Sequence, residues 1–203
     1  MKIEKMALVG TGVMGMGIAQ IAAQAGLEVR LFDVKAGAAQ AGLDKLKVLL
    51  EKLVAKGKIS QADFESTLAR FIVLDNIEQA AGVDLVVEAI IENLEVKQKL
   101  FNQLEEIVSE QTILVSNTSS LVITEIAAGC QHKSRVAGFH FFNPVPLMKI
   151  VEVVKGLFTS EEVLDSLLEL ADRMGHFGVK TKDTPGFLVN HAGRAFGTES
   201  LKS

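Results

Sequence analysis

The sequence predicts an α/β fold, in which a doubly wound, mostly parallel β-sheet is covered by helices on both faces. Apolar runs of strand length alternate along the chain with amphipathic stretches of helix length. The early strands are apolar on both faces, as are the buried strands of parallel sheets. Hydrophobic residues make up 48% of the 203 residues and charged residues 23%, so the chain can bury a core.

The predicted strands are short apolar runs bounded by polar or turn residues. They cover residues 6–9, 29–32, 71–74, 85–88, 112–115, 136–139, 151–154 and 179–181. The predicted helices cover residues 15–26, 36–56, 61–69, 93–109, 123–129 and 161–174. Thr159 and Glu162 have the spacing of a capping box for the last helix, which is predicted to stop at Gly175.

Composition argues against several classes of protein. Residues 6–27 carry no charge and could imitate a signal peptide or a membrane span, but they contain clustered glycines, with Gln20 and Gln24 at helical spacing. We interpret them as a buried strand, turn and helix, and we expect no membrane association. The net charge of -4 offers no attraction for nucleic acid. The single Cys130 excludes an internal disulfide and fits a reducing cytoplasm.

A glycine-rich motif follows the first predicted strand and opens a helix. Gly10, Gly12 and Gly15 have the GxGxxG spacing of a dinucleotide-binding turn, in the strand-to-helix context that the motif requires. The first glycine permits the tight turn, the second lets a pyrophosphate approach, and the third lets helix and strand pack closely. The alternative is a purely structural turn. The motif favours a Rossmann-type sheet, with the late strands as C-terminal additions.

Asp33 ends the second predicted strand, 18 residues after Gly15. A carboxylate at this point can accept hydrogen bonds from the adenosine ribose and repels a 2′-phosphate. Val34 and Lys35 follow it, and no arginine is adjacent, although Lys35 could soften the exclusion. We therefore expect NAD rather than NADP as the cofactor.

One segment brings acid–base residues close to a rigid turn. His140 and Glu152 flank a turn that contains Asn143, Pro144 and Pro146. Imidazole suits removal of a hydroxyl proton near neutral pH, and a glutamate on its far nitrogen would orient it. Glu152 should project to the opposite face from its apolar neighbours, and two strands joined by the turn could bring it beside His140. The alternative is a histidine satisfied in the core.

Taken in order, these motifs resemble the NAD-binding domain of the L-3-hydroxyacyl-CoA dehydrogenases. The resemblance rests on residues 86–97, 116–121, 140–154 and 183–190, and the residues from Asn190 onward resemble bacterial members. It implies reversible, NAD-dependent oxidation of a (3S)-3-hydroxyacyl-CoA to the 3-oxoacyl-CoA. In that family the chain continues into an all-helical domain that supplies much of the dimer interface.

The resemblance also implies roles for individual residues. The implied catalytic residues are a general base, the glutamate that orients it and two substrate ligands: His140, Glu152, Ser119 and Asn190. The implied cofactor-binding residues are Gly10, Gly12, Gly15, Asp33, Glu92, Lys97, Ser119 and Asn143. Read locally, Ser119 and Ser120 could instead cap the helix at 123–129. Glu92 and Lys97 could be exposed charges at a helix start.

The turn at residues 183–186 is the predicted domain boundary. We expect residues 1–184 to form the NAD-binding domain and residues 185–203 to begin a truncated, all-helical dimerisation and substrate domain. We expect this last segment to expose apolar side chains and to promote a homodimer or self-association. These side chains are Phe187, Leu188, Val189, Phe196 and Leu201.

The remaining polar residues give weaker signals. His132 is expected to be solvated and His176 to lie in a loop, while the role of His191 stays open. Residue spacing shows no metal-binding pattern. A group of lysines is interpreted as a solvated helix face. The alternative is that some of these lysines contact the phosphates of coenzyme A. These are Lys45, Lys47, Lys52, Lys56 and Lys58.

Other functions remain open at this point. A different β-hydroxy-acid dehydrogenase typically uses a lysine base, whereas this chain offers His140 and Glu152. A non-catalytic relative, such as a lens crystallin that resembles the family, would not need the intact set of site residues. A third alternative is a nucleotide-binding module without turnover.

Overall fold

The computed structural model describes residues 1–184, 186 and 187 of the chain. The expectations for Asn190, His191 and a C-terminal helix lie outside these residues. The strands are β1 (Lys5–Val9), β2 (Glu28–Phe32), β3 (Phe71–Val73), β4 (Leu85–Glu88), β5 (Ile113–Ser116), β6 (Val136–Phe141), β7 (Ile150–Lys155) and β8 (Phe177–Lys182). The α-helices are α1 (Val13–Gln24), α2 (Ala38–Ala55), α3 (Gln61–Leu68), α4 (Leu94–Ile107), α5 (Ile123–Ile126) and α6 (Glu161–Arg173).

Within the described residues the strands form one eight-stranded sheet with the order β3-β2-β1-β4-β5-β6-β7-β8. Neighbouring strands from β3 to β6 pair in parallel. β7 runs antiparallel to β6, and β8 pairs in parallel with β7. The first six strands have the order of dinucleotide-binding folds, with β7 and β8 added at one edge. The predicted doubly wound, mostly parallel sheet with extra C-terminal strands is confirmed.

The burial of β1 explains why the sheet needs helices on both sides. Met6 and Leu8 pack into one apolar layer, while Ala7 and Val9 pack into the other. The uncharged run 6–27 is therefore a buried strand, the glycine turn and α1. Among the helices in the described part of the chain, none combines the length and apolar character needed to cross a membrane.

The start of α6 differs by one residue from the predicted capping box. Ser160 is the N-cap, and its Oγ accepts a hydrogen bond from the Val163 N–H at 3.3 Å. Thr159 instead donates from its Oγ1 to the Val136 carbonyl oxygen at 2.5 Å. The prediction of Thr159 as cap was wrong because its hydroxyl donates to the Val136 carbonyl oxygen of β6, a contact that the local sequence does not show.

Short 3₁₀ segments account for some of the other differences, and the remaining ones are shifts of element ends by a few residues. The predicted helix at 123–129 is α5 followed by a 3₁₀ turn at Ala127–Gly129. Two more 3₁₀ segments, Ile77–Ala80 and Lys133–Arg135, were not predicted. Segments of this length contain too few residues to show a hydrophobic period.

Candidate active site

The turn between β1 and α1 has the geometry that the glycine motif requires. Gly10 has a φ of 98°, and a Cβ there would lie 2.6 Å from the Ala89 carbonyl oxygen. A Cβ on Gly15 would lie 2.0 Å from the carbonyl oxygen of Gly10. At Gly12, by contrast, a Cβ would meet no described atom within 4 Å. The open space lies at the N-terminus of α1, where backbone N–H groups attract an anion, so the turn fits a pyrophosphate.

Asp33 lies just beyond β2, beside this turn. Its Oδ2 accepts hydrogen bonds from the backbone N–H and the Oγ1 of Thr11, both at 2.8 Å, and its Oδ1 accepts from the Lys35 N–H at 3.0 Å. Partial burial alone would raise the pKa of Asp33, but these hydrogen bonds outweigh it and hold the pKa below its usual value. The side chain is therefore an oriented carboxylate at neutral pH.

His140 and Glu152 face each other across β6 and β7. The antiparallel register makes them direct partners, and His140 Nδ1 lies 2.7 Å from Glu152 Oε2. Glu152 is fully buried and His140 is 5% exposed. The contact fixes the orientation of the imidazole and leaves Nε2 as the nitrogen that can take up a proton.

Two phenylalanine rings lie against the imidazole. The ring centroid of Phe142 is 4.5 Å from that of His140, and the centroid of Phe187 is 5.6 Å away. Phe187 is only 2% exposed. The expectation that Phe187 is part of an exposed apolar surface was therefore wrong, because the chain turns back and buries this ring beside His140.

Glu92 binds the loop that follows β5, residues 117–120, which we call the serine loop. Its Oε1 accepts hydrogen bonds from Thr118 Oγ1, from the N–H of Ser119 at 3.1 Å, and from the N–H and Oγ of Ser120 at 3.3 and 3.0 Å. Burial alone would raise the pKa of Glu92. The Thr118 hydroxyl, Lys97 and the serine groups outweigh this effect and hold the pKa below its usual value. Glu92 therefore binds the serine loop as a carboxylate.

The start of α5 is bound by an acidic side chain from the far end of the chain. Asp183 Oδ1 accepts from the Ile123 N–H at 2.7 Å, and its Oδ2 accepts from the Thr124 N–H at 2.8 Å. The N-cap residue, Val122, offers no side-chain hydrogen bond to the helix. These contacts place an aspartate where the local interpretation had placed Ser119 or Ser120.

Lys97 lies inside the protein, 1% exposed. Its Nζ is 2.5 Å from Glu88 Oε1 and 3.3 Å from Glu92 Oε2. The second oxygen of the fully buried Glu88 accepts from Ser116 Oγ at 2.6 Å. Lys97 is thus no exposed helix-start charge, and it joins the end of β4 to the first turn of α4.

Two cavities open beside these groups. The smaller, of about 330 Å³, is lined by four of the predicted site residues, namely Glu92, Ser119, His140 and Asn143. It is lined by Met14, Ala89, Ile90, Glu92, Asn117, Ser119, His140, Phe141, Phe142 and Asn143. The larger, of about 770 Å³, lies between α1, α2 and the Asn143–Pro146 turn. Lys97 lines neither of them, while Asn143 lines both.

Sequence reasoning missed three residues of this region. Asn117 Oδ1 accepts from the Phe141 N–H at 2.9 Å and so ties the serine loop to β6. Glu88 could have been recognised as a charged residue that ends an otherwise apolar strand. No local signal marks Phe187, since only the path of the chain brings it to His140.

His132 and His176, the other histidines in the described part of the chain, line neither of these two cavities. His132 is solvated as predicted, with Nε2 3.6 Å from Glu110. His176 lies in a loop as predicted but is buried, its ring nitrogens 3.0 Å from the carbonyl oxygens of Met174 and Val145. Among the described residues, no group of three or more His, Cys, Asp or Glu side chains is arranged to hold a metal ion.

Comparison with known proteins decides the family. The family described as "3-hydroxyacyl-CoA dehydrogenase, NAD binding domain" matches residues 5–184. The chain belongs to this family. The match spans β1 to β8 and ends at the predicted domain boundary, so the glycine turn, the serine loop and the His140–Glu152 pair all lie within it.

Individual relatives of this dehydrogenase family agree. The chain is 47% identical over 190 residues to a probable 3-hydroxybutyryl-CoA dehydrogenase of Bacillus subtilis, covering 94% of this chain and 66% of that protein. It is 44% identical over 201 residues to 3-hydroxyadipyl-CoA dehydrogenase of Escherichia coli, covering 99% of this chain and 42% of that protein. The solved structure of 3-hydroxybutyryl-CoA dehydrogenase from Escherichia coli superposes with a TM-score of 0.97 at 44% identity, over 100% of this chain and 43% of that one.

Proposed function

We propose that this chain takes part in the reversible, NAD-dependent oxidation of the 3-hydroxyl group of a (3S)-3-hydroxyacyl-CoA. The observation that carries the proposal is the buried His140–Glu152 pair, 2.7 Å apart, whose histidine lines a cavity beside the glycine turn. Since the chain spans less than two thirds of the curated relatives described above, the activity of a whole protein remains part of the proposal.

His140 acts as the general base in this proposal. When bound, NAD supplies the hydride acceptor, and the hydride comes from the carbon that carries the hydroxyl group. His140 Nε2 takes the hydroxyl proton, and Glu152 holds Nδ1 and stabilises the imidazolium that forms. The reverse reaction returns the proton from His140 to the carbonyl oxygen of the 3-oxoacyl-CoA.

The loops around the cavity position the reactants. Ser119 binds the substrate oxygen and adjoins the cofactor, and Asn190 contributes to substrate binding, as the family resemblance implies. Glu92 and Asn143 line the nicotinamide half of the site. Lys97 acts through Glu92, since its amino group is buried between two carboxylates. Two observations support these roles: Ser119, Glu92 and Asn143 line the same cavity, and hydrogen bonds join Glu92 to the serine loop.

The glycine turn and Asp33 bind the rest of NAD. Gly10 and Gly15 shape the turn, the space at Gly12 receives the pyrophosphate, and Asp33 accepts hydrogen bonds from the adenosine ribose. The larger cavity takes part of the coenzyme A moiety, because it is mostly apolar but has Lys35 and Lys45 in its wall. Phosphate groups of coenzyme A can pair with such lysines.

The remaining parts of the proposal concern the whole protein. Residues 1–184 form the NAD-binding domain, and residues 185–203 begin a helical domain that supports a homodimer or self-association. The protein acts in the cytoplasm, where reducing conditions suit the single buried Cys130.

The test is reduction of acetoacetyl-CoA, followed by the loss of NADH absorbance. His140→Gln should lower kcat by about 10²–10⁴-fold, the range for a lost general base, with little change in NADH affinity. Glu152→Gln should lower kcat in the same direction, since the imidazole loses its orienting charge. His132→Gln, which changes a solvated histidine, is the matched control. Binding of NADH without any turnover would reduce the proposal to a nucleotide-binding module, and an unchanged pH profile in His140→Gln would place the base elsewhere.

A further inference from the structure

Phe187 has a backbone conformation that residues other than glycine rarely adopt. Its φ is 49°, in the left-handed region, and it directly follows Gly186 with a φ of 81°. A bulky residue keeps such a conformation only where its surroundings enforce it. The ring is 2% exposed and packs in the apolar layer that also contains Ile123 and Val154.

The same ring covers the candidate base. Its centroid lies 5.6 Å from that of His140 at an interplanar angle of 57°, while Phe142 lies 4.5 Å away at 58°. These two rings leave the imidazole 5% exposed although it lines a cavity. Phe142 is two residues from His140 on the same segment, whereas Phe187 must be delivered by a distant turn.

Asp183 anchors that turn. Its carboxylate accepts from the Ile123 N–H, the Thr124 N–H and, at 2.5 Å, Thr124 Oγ1. The Phe187 N–H donates to the Thr184 carbonyl oxygen at 2.9 Å and closes the turn. The segment is therefore tied to α5 at one end and buried at the other.

We propose that Phe187 is a positioning residue for His140. Held by the Asp183 anchor, its ring packs on the imidazole, limits the ring to the orientation that meets Glu152, and keeps water away from it. The link to catalysis rests on the proposed function, but the shielding of His140 does not. A change in the turn at residues 183–187 would then act on the base without touching substrate or cofactor.

Modification by diethylpyrocarbonate tests the shielding without any activity assay. The rate at His140 is measured by peptide mass spectrometry and divided by the rate at His132, whose side chain is 44% exposed in the same molecule. Phe187→Ala should raise this ratio by about tenfold, and Asp183→Asn should raise it in the same direction. Phe177→Ala, which removes a 73% exposed ring from β8, is the matched control and should leave the ratio unchanged.

Turnover tests the positioning role. Phe187→Leu keeps an apolar side chain and should lower kcat by roughly tenfold, since misplacing a catalytic group is costly, with KM and NADH affinity nearly unchanged. An unchanged modification ratio in both Phe187→Ala and Asp183→Asn would overturn the proposal, and Asp183→Asn alone decides if Phe187→Ala does not fold. An altered ratio with an unaltered kcat and pH profile would overturn the positioning role. Absence of turnover in the unmodified chain would instead count against the proposed function.

Discussion

At the scale of single residues, we expect the carboxylate of Asp33 to set which dinucleotide the turn accepts. Three hydrogen bonds from Thr11 and Lys35 orient it and keep its pKa below the usual value, so that it is charged at neutral pH. A 2′-phosphate placed beside it would be repelled in a partly desolvated site. The backbone N–H of Lys35 donates a hydrogen bond to Asp33. Lys35, whose charge could weaken the exclusion of a 2′-phosphate, is therefore bound to the carboxylate through its backbone.

Asp33→Ser should therefore reduce the preference for NADH over NADPH. We expect NADPH affinity to rise and NADH affinity to fall, each measured by fluorescence titration, because the repulsion and the ribose contact are lost together. Asp44→Ser, which removes an exposed charge from α2, is the matched control for net charge. Equal affinities of the unmodified protein for the two cofactors would contradict the argument.

At the scale of elements, α2 presents different residues to the larger cavity and to solvent. Lys45 and Lys47 are both exposed, but Lys45 lines the cavity together with Leu46 and Leu49, whereas Lys47 lies on another side of the same helix. The helical period separates these lysines although they are two positions apart. Of the five lysines expected on a solvated face, Lys45 is the one that lines this cavity, where we propose that coenzyme A binds.

Lys45→Ala should raise the KM for acetoacetyl-CoA by about threefold to tenfold, the scale of one ordinary hydrogen bond made by an exposed side chain. kcat should stay close to its original value, because Lys45 does not line the cavity that contains His140. Lys47→Ala is the matched control and should leave KM unchanged. Equal effects of the two substitutions would show that the lysines act only through overall charge.

At the scale of the whole molecule, the sheet brings together residues that are far apart in the chain. The parallel strands β1, β4, β5 and β6 end at the same edge, and the loops that follow them carry the glycine turn, Glu92 and the serine loop. Ligands of open α/β sheets bind at this carboxyl edge. Stability and binding can therefore be separated at the glycines, since two of them shape the sheet edge and one leaves space for the ligand.

Gly12→Ala and Gly15→Ala should affect different properties, the first NADH binding and the second the stability of the fold. A Cβ at Gly12 meets no described atom within 4 Å, so this variant should fold with an unchanged Tm but lose the rise in Tm that NADH gives the unmodified protein. A Cβ at Gly15 would lie 2.0 Å from the Gly10 carbonyl oxygen, so that variant should have a lower Tm without ligand. Thermal unfolding with and without NADH measures both. Full stabilisation of Gly12→Ala by NADH would contradict a pyrophosphate at this turn.

The sequence by itself determined the strands, the order of helices and the glycine turn. Hydrophobic period, flanking turn residues and glycine spacing are local properties, and each follows from the backbone and side-chain geometry of a few neighbouring residues. The pairing of His140 with Glu152 could also be anticipated, because a short turn joins the two strands and the period of a strand sets which residues share a face. The late strands were located correctly for the same reason, although local pattern does not reveal their direction in the sheet.

Only the tertiary structure decided which polar groups meet over long distances. The burial of Lys97 between Glu88 and Glu92, the binding of α5 by Asp183 and the return of Phe187 to His140 depend on contacts between distant segments. The choice of Ser160 over Thr159 as the cap of α6 also depended on β6, since the Val136 carbonyl oxygen takes the Thr159 hydroxyl. Hydrogen bonds of this kind are selected by the whole packed core, because burial penalises every polar group that lacks a partner, and no local pattern records which distant partner will be present.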